Sequence, residues 1–89
     1  MKRKLEKIFK NELAREIVIF FYNNPGSVDT TSGISAWVGE KKEKVKEVLD
    51  LLVKESVLDI DSTSTTNAYC LTGDKNVVRF IKQFLKNEK

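Results

Sequence analysis

The feature that most constrains this chain is a run of six apolar residues, 17–22, at the end of an amphipathic segment. Apolar side chains recur through that segment at spacings of one, three and four residues, which is typical of a helix with one buried face. Because its last turns are apolar on every side, we expect this end of the helix to lie at the centre of the fold. The periodic positions of this first predicted helix are Leu5, Phe9, Leu13, Ile17, Phe20 and Phe21.

Length and composition limit the class of protein. The 89 residues are 40% hydrophobic and 33% charged, and this length fits one domain over residues 1–89. The apolar run is far shorter than the roughly 20 residues that cross a bilayer. Residues 1–10 are too charged to contain the apolar part of a secretory signal. We therefore expect a cytoplasmic protein with no membrane association.

The chain offers little to catalysis. It has one cysteine, Cys70, and no histidine, so an internal disulfide is excluded and zinc, haem and general-base chemistry lose their usual ligand or base. The sequence contains no glycine-rich phosphate loop, metal-ligand cluster or plausible catalytic triad. We expect no enzymatic activity, metal or cofactor, and Cys70 is predicted to be a buried strand thiol.

Turn signals divide the rest of the chain. Residues 23–26, Asn-Asn-Pro-Gly, end the first helix because proline disfavours helical geometry in the residue before it. Val28 is then expected to form a short extended bridge. Side-chain oxygens on residues 29–32 can cap a second helix, which runs to Val38 and ends at Gly39.

Three further elements follow from the spacing of apolar residues. A helical stripe predicts a third helix over residues 41–54, and alternating residues at 57–61 and 68–71 predict a hairpin with a polar turn at 62–67. Residues 72–74 can cap a last helix. The stripe of the third helix is Val45, Val48, Leu49 and Leu52, and that of the last is Val77, Val78, Phe80, Ile81, Phe84 and Leu85.

The predicted elements follow the order short helix, turn with glycine, longer helix and hairpin. Over residues 17–72 this order resembles that of the winged helix-turn-helix transcription regulators. The resemblance implies a mostly α fold with a small β-hairpin: a three-helix core, a short wing and a C-terminal helix. It implies that Ile34 and Val38 supply apolar contacts, that Ser35 is the small residue between two helices, and that Gly39 takes the left-handed conformation. Many members have glycine where Ser56 stands.

The same resemblance implies a transcriptional regulator that binds double-stranded DNA. Lysines crowd the first half of the third helix, but three of the four residues opposite its core stripe are acidic and would repel phosphates. The wing carries no lysine or arginine. A protein-interaction module without DNA binding is therefore the alternative. The predicted DNA contacts are Thr31, Ser32, Lys41, Lys42, Lys44 and Lys46, and the outer-face residues are Glu43, Glu47, Asp50 and Lys54.

The last helix predicts a second interface. Its apolar residues span about 160° at the α-helical period, more than one neighbour usually needs. Dimerisation through terminal helices is common in the family that the chain resembles, and a second subunit would cover the apolar surface that one neighbour leaves exposed. The alternative is a monomer whose last helix is well buried. The predicted dimer contacts are Ile8, Val78, Phe80, Phe84 and Leu85, and the other side of the helix carries Lys75, Arg79, Lys82 and Lys86.

Overall fold

The computed structural model describes residues 2–61 and 67–87, with side chains from residue 6 to 61 and from 67 to 86. Within these ranges the chain forms helices and a small antiparallel sheet. The elements are α1 (Lys2–Lys10), α2 (Glu12–Asn23), β1 (Asp29–Thr30), α3 (Thr31–Val38), α4 (Lys42–Lys54), β2 (Leu58–Asp61), β3 (Ala68–Leu71) and α5 (Lys75–Asn87).

The prediction of one continuous first helix is wrong, because the helix breaks at Asn11. Asn11 has extended backbone geometry, with φ −80° and ψ 116°, and its side chain accepts a hydrogen bond of 3.1 Å from the backbone N–H of Ala14. A short polar side chain that satisfies a free backbone N–H favours a helix start over a helix interior. The apolar period runs through the break because α1 and α2 both face the same core.

The all-round apolar end of α2 lies in the core, as expected. Ile17, Val18 and Phe21 are fully buried, and Phe20 and Tyr22 pack partly buried against the same cluster. The helix ends at Asn23 as the proline signal predicts, and Gly26 follows with a positive φ of 90°.

Helices α3 and α4 form a helix-turn-helix whose turn is set by Gly39. This residue caps α3 in the left-handed conformation, with φ 75° and ψ 26°, and its N–H donates to the carbonyl of Ser35. The side chain of Ser35 donates a hydrogen bond to the carbonyl of Glu40, so the small residue also ties down the turn. Ile34 is buried and Val38 packs against the core, which confirms the contacts predicted for this pair of helices.

The predicted hairpin is confirmed and extended to three strands in the order β1-β3-β2. Leu58 pairs with Leu71, and Asp29 pairs with Tyr69 on the other side of β3. The extended bridge therefore lies at Asp29–Thr30, one residue after Val28, whose side chain is exposed. Of the predicted turn, residues 62–66 lie outside the described residues.

Helix α5 starts on the predicted cap and packs on α1. The Asp74 carboxylate accepts a hydrogen bond from the N–H of Asn76 at 2.9 Å. Phe9 of α1 stacks against Phe84 with ring centroids 4.4 Å apart and lies 6.2 Å from Phe80. The contact joins the two terminal helices into one layer beside the core.

Candidate nucleic-acid interface

The outer face of α4 is presented to solvent because its inner face is held by the core. Val45, Leu49 and Leu52 are fully buried, and Val48 is nearly so. The predicted outer-face residues are all exposed, as are the four lysines predicted to contact DNA. Helix α4 begins at Lys42, and Lys41 is its N-cap without a side-chain capping bond.

Two of these four lysines are engaged in ion pairs within α4 or beside it. The Nζ atom of Lys46 lies 2.7 and 2.8 Å from the two carboxylate oxygens of Asp50, one turn further along. That hydrogen bond raises the pKa of Lys46 above its ordinary value. The Nζ atom of Lys44 lies 3.9 Å from Glu40.

Lys41 and Lys42 differ from the other two lysines. Within the described part of the chain neither forms an ion pair, and both side chains are exposed at the N-terminal end of α4. Together with Lys54 at the other end of α4, they are the cations of the helix-turn-helix that form no ion pair with a described acid. An anion that approaches this end of α4 therefore does not have to displace a carboxylate from Lys41 or Lys42.

The N-terminus of α3 carries the two remaining predicted contacts. Thr30 is the N-cap, and its hydroxyl accepts a hydrogen bond of 3.2 Å from the N–H of Gly33. Thr31 and Ser32 form the first helical turn, and Ser32 is exposed. Several residues at 29–32 could have supplied the cap from sequence, and the structure assigns the role to Thr30.

The Asp29 carboxylate lies beside this turn, which the sequence did not predict. Its Oδ1 accepts a hydrogen bond of 2.8 Å from the N–H of Thr30, and a Cβ built on Gly33 would stand only 2.1 Å from the same oxygen. Gly33 thus admits a negative charge next to the first turn of α3. In the sequence, the one indication of a role for Asp29 is its position among other residues that can cap a helix. Nothing in the sequence indicates that its carboxylate lies close to Gly33.

The wing bears acids and an apolar side chain. In β2, Leu58 is buried, whereas Ile60, two residues nearer the tip on the same face, is 41% exposed. Cys70 is half-buried in β3 opposite Asp59, so the prediction of a buried thiol is only partly met. Burial raises the pKa of the Cys70 thiol, and the charges of Asp59 and Asp61 add to the effect.

Trp37 is more exposed than a core residue. Its side chain is 54% exposed, and its ring centroid lies 4.6 Å from that of Phe20 on α2. The contact places an aromatic pair at the surface where α2 meets α3. The sequence alone does not identify Phe20 as the neighbour of Trp37.

The residues predicted to form a dimer interface lie on the two terminal helices, mostly in contact with their own chain. Ile8 is 4% exposed and belongs to the core, so little of it is left for a partner. The four α5 residues are half-buried. Phe80 and Phe84 pack on Phe9 of α1, and part of each of the four side chains remains accessible. The four are Val78, Phe80, Phe84 and Leu85, of which the last three pack against the core.

Metal-binding clusters and membrane-spanning helices are both absent from the described residues. No group of three or more histidine, cysteine, aspartate or glutamate side chains among them is placed to hold a metal ion. None of the described helices is long and apolar enough to cross a membrane.

Comparison with known proteins identifies the fold. No family model matches the sequence, and no curated protein matches it. Among solved structures, the chain is similar to HlyU from Vibrio cholerae N16961, with a TM-score of 0.77 at 15% identity over 96% of this chain and 88% of that one. The reduced form of the same protein gives a TM-score of 0.76 at 15% identity, covering 96% and 85%.

A third neighbour is a transcriptional regulator, HlyU from Vibrio vulnificus CMCP6. Its TM-score is 0.74 at 17% identity, and the match covers 97% of this chain and 85% of that one. With the α3–α4 helix-turn-helix and the β2–β3 wing, these likenesses show that the chain has the winged-helix fold.

Proposed function

We propose that this protein is a DNA-binding, cytoplasmic transcriptional regulator that acts as a homodimer. The observation that carries the proposal is the N-terminal end of α4, where Lys41 and Lys42 stand exposed and outside any ion pair of the described residues. A helix-turn-helix places its second helix in the major groove with its N-terminal residues toward the bases. The regulator with a similar fold supports the same assignment.

The acidic outer face restricts how α4 can dock. Glu43 and Glu47 are exposed, and a carboxylate that faces phosphates opposes binding unless it accepts a hydrogen bond from a cytosine amino group. We infer that contacts to phosphate come from Lys41 and Lys42, with Lys44 and Lys46 available only when their ion pairs open. The exposed hydroxyl of Ser32 and the backbone near Thr31 add hydrogen bonds to the backbone of DNA.

Binding to a mixed-sequence duplex, followed by fluorescence anisotropy at increasing salt, tests the proposal. The wild-type affinity should fall linearly on logarithmic axes, and the variant Lys41→Gln/Lys42→Gln should lose about 0.9 of slope per phosphate contact removed. Lys54→Gln is the control, because Lys54 lies at the opposite end of α4. No binding by the wild type at low salt would exclude the DNA-binding function.

The homodimer is proposed on the α1–α5 layer. Val78, Phe80, Phe84 and Leu85 keep part of their apolar surface accessible, and an isologous contact between two copies would cover it. Leu85→Gln should therefore lower the molar mass measured by light scattering, whereas Lys75→Gln, at an exposed position at the other end of α5, should not. A wild-type protein that is monomeric throughout the concentration range of the DNA measurements would contradict the homodimer.

A protein-interaction module is the second candidate, and the exposed Trp37 favours it. Aromatic side chains are enriched where proteins bind proteins, and the Phe20–Trp37 pair lies at the surface. Under this alternative, Trp37→Ala removes binding to the partner and leaves the fold intact. Wild-type binding to DNA with the expected salt dependence, unaltered by Trp37→Ala, would favour the regulator.

A further inference from the structure

Four cations form a ridge along α5. Lys75, Arg79, Lys82 and Lys86 are exposed, and their spacing of four, three and four residues places them within a sector of about 60° around the helix. We call this set the α5 ridge. Helix α5 contains no acidic residue, so nothing within the helix compensates these charges.

The packing of α5 holds the ridge toward solvent. Val77 and Ile81, on the opposite side of the helix, are fully buried, and Phe84 stacks on Phe9 of α1. The helix therefore cannot rotate about its axis without exposing its core residues. Three ridge residues and Gln83 line a shallow surface concavity of about 450 Å³. The lining residues are Arg79, Lys82, Gln83 and Lys86.

The charge of the α5 ridge is not balanced by its neighbours. Among the described side chains, no ion pair joins the ridge to an acid. Helices α1 and α5 together contain nine lysines or arginines and one acid, whereas the rest of the chain contains seven and twelve. Like charges at i and i+4 destabilise a helix, so a partner with repeated negative charge would relieve a cost that the free protein carries.

The shape of the ridge favours a nucleic-acid backbone over other anionic partners. Lys75 and Lys86 are 11 residues apart, which corresponds to about 16 Å along the helix. Phosphates of one DNA strand recur every 3.4 Å along the duplex axis, but the strand also winds around that axis, so a straight ridge of this length faces only a few of the roughly five phosphates in that rise. Four cations in a line match a repeating polyanion.

An acidic protein and a membrane surface fit less well. Protein interfaces bring an apolar centre together with charges, but the accessible apolar surface of α5 is the one assigned above to the homodimer. The large apolar side chains that are well exposed in the described residues all lie outside α5. A helix that lies on a membrane inserts its apolar face, and the apolar face of α5 is already packed against its own chain through Val77, Ile81 and Phe84.

We infer that the α5 ridge binds the phosphate backbone of duplex DNA, at a contact separate from the N-terminal end of α4. This inference rests on the proposed DNA-binding function and adds a second contact to it. Because the ridge reads no base edges, it contributes affinity and salt dependence without sequence preference. Part of the electrostatic attraction for DNA then comes from a surface outside the helix-turn-helix.

The test compares Arg79→Gln/Lys82→Gln/Lys86→Gln with wild-type protein on a mixed-sequence duplex, by anisotropy over a range of salt. The salt slope should fall by about 2.7, which is 0.9 for each of three phosphate contacts. A matched control, Lys7→Gln/Lys10→Gln/Lys54→Gln, removes the same charge from exposed positions on other faces. It should change the slope less, and an equal change in both variants would overturn the inference.

The outcomes separate this contact from the proposed function. A ridge variant that binds like wild type, beside a Lys41→Gln/Lys42→Gln variant that is weakened, would overturn the ridge and leave the function of α4 intact. The reverse result would support the ridge and count against α4. Competition by polyglutamate as strong as competition by duplex DNA at equal charge would assign the ridge to acidic peptides and overturn the inference.

Folding of the variants is checked independently. All three altered residues are exposed, so the far-UV circular dichroism and the urea midpoint should match those of the wild type. If the triple variant fails to fold, Lys82→Gln and Lys86→Gln are measured singly, and each should lower the slope by about 0.9. Single variants with an unchanged slope would then overturn the inference.

Discussion

Helices α4 and α5 have the same length and the same number of cations, yet their surfaces differ. Each has 13 residues and four lysines or arginines, but α4 also contains three acids and α5 contains none. In α4, Lys46 forms an ion pair with Asp50. Helix α4, the second helix of the helix-turn-helix, therefore has a less basic surface than α5. In this chain, the position of a helix in the fold does not determine how basic its surface is.

The inner faces of the two helices should respond alike, with the largest effects on stability. Leu49 of α4 and Ile81 of α5 are fully buried. Replacing either with alanine should lower the free energy of unfolding by about 2–5 kcal/mol, through lost apolar burial and the cavity left behind. Urea unfolding measures this, with Lys54→Ala as an exposed control. A small loss for Ile81→Ala alone would mean that α5 is only loosely attached.

The ends of α4 should show smaller effects of opposite sign. Gly39 and Ser56, which flank the helix, have φ values of 75° and 64°. Gly39→Ala should cost about 1 kcal/mol, because a Cβ is disfavoured in the left-handed region. Ser56→Gly should gain up to about 1 kcal/mol by relieving the same strain. If thermal unfolding shows Ser56→Gly to be destabilising, the serine side chain contributes more than its backbone strain costs.

A single substitution in α4 can reduce the difference in charge between α4 and α5. Asp50→Asn removes an acid from α4 and frees Lys46, so the affinity for duplex DNA should rise and the salt slope should steepen by up to about 0.9. Glu55→Gln, an equal charge change at the far end of α4, is the control in the same anisotropy experiment. An unchanged slope for Asp50→Asn would show that the outer face near Lys46 does not approach phosphate.

Local periodicity and turn chemistry were sufficient to predict most of the scaffold. The stripe of α4, the end of α3 at Gly39 and the hairpin follow from local sequence, whereas the left-handed conformation of Gly39 was implied by the family resemblance. Ser56 departs from glycine at a position that does have a positive φ. The break at Asn11 was not predicted because α1 and α2 share one apolar period. A single capping side chain decides that boundary, and periodicity does not detect it.

The candidate site was less predictable, because it depends on which side chains meet. The residues predicted to contact DNA are exposed or half-buried as a group. The spacing of Lys46 and Asp50 permits an ion pair, whereas the approach of Asp29 to Gly33 depends on how β1 leads into α3. The Phe20–Trp37 contact likewise arises between separate helices.

The most direct test of where DNA binds is a heteronuclear NMR titration of the labelled protein with a mixed-sequence duplex at low salt. Changes are expected in the amide signals of Ser32, Lys41 and Lys42, together with Arg79 and Lys82 on α5. Changes should diminish on both surfaces as salt is added. Changes confined to the Phe20–Trp37 surface, or no changes at all, would contradict binding at these two surfaces.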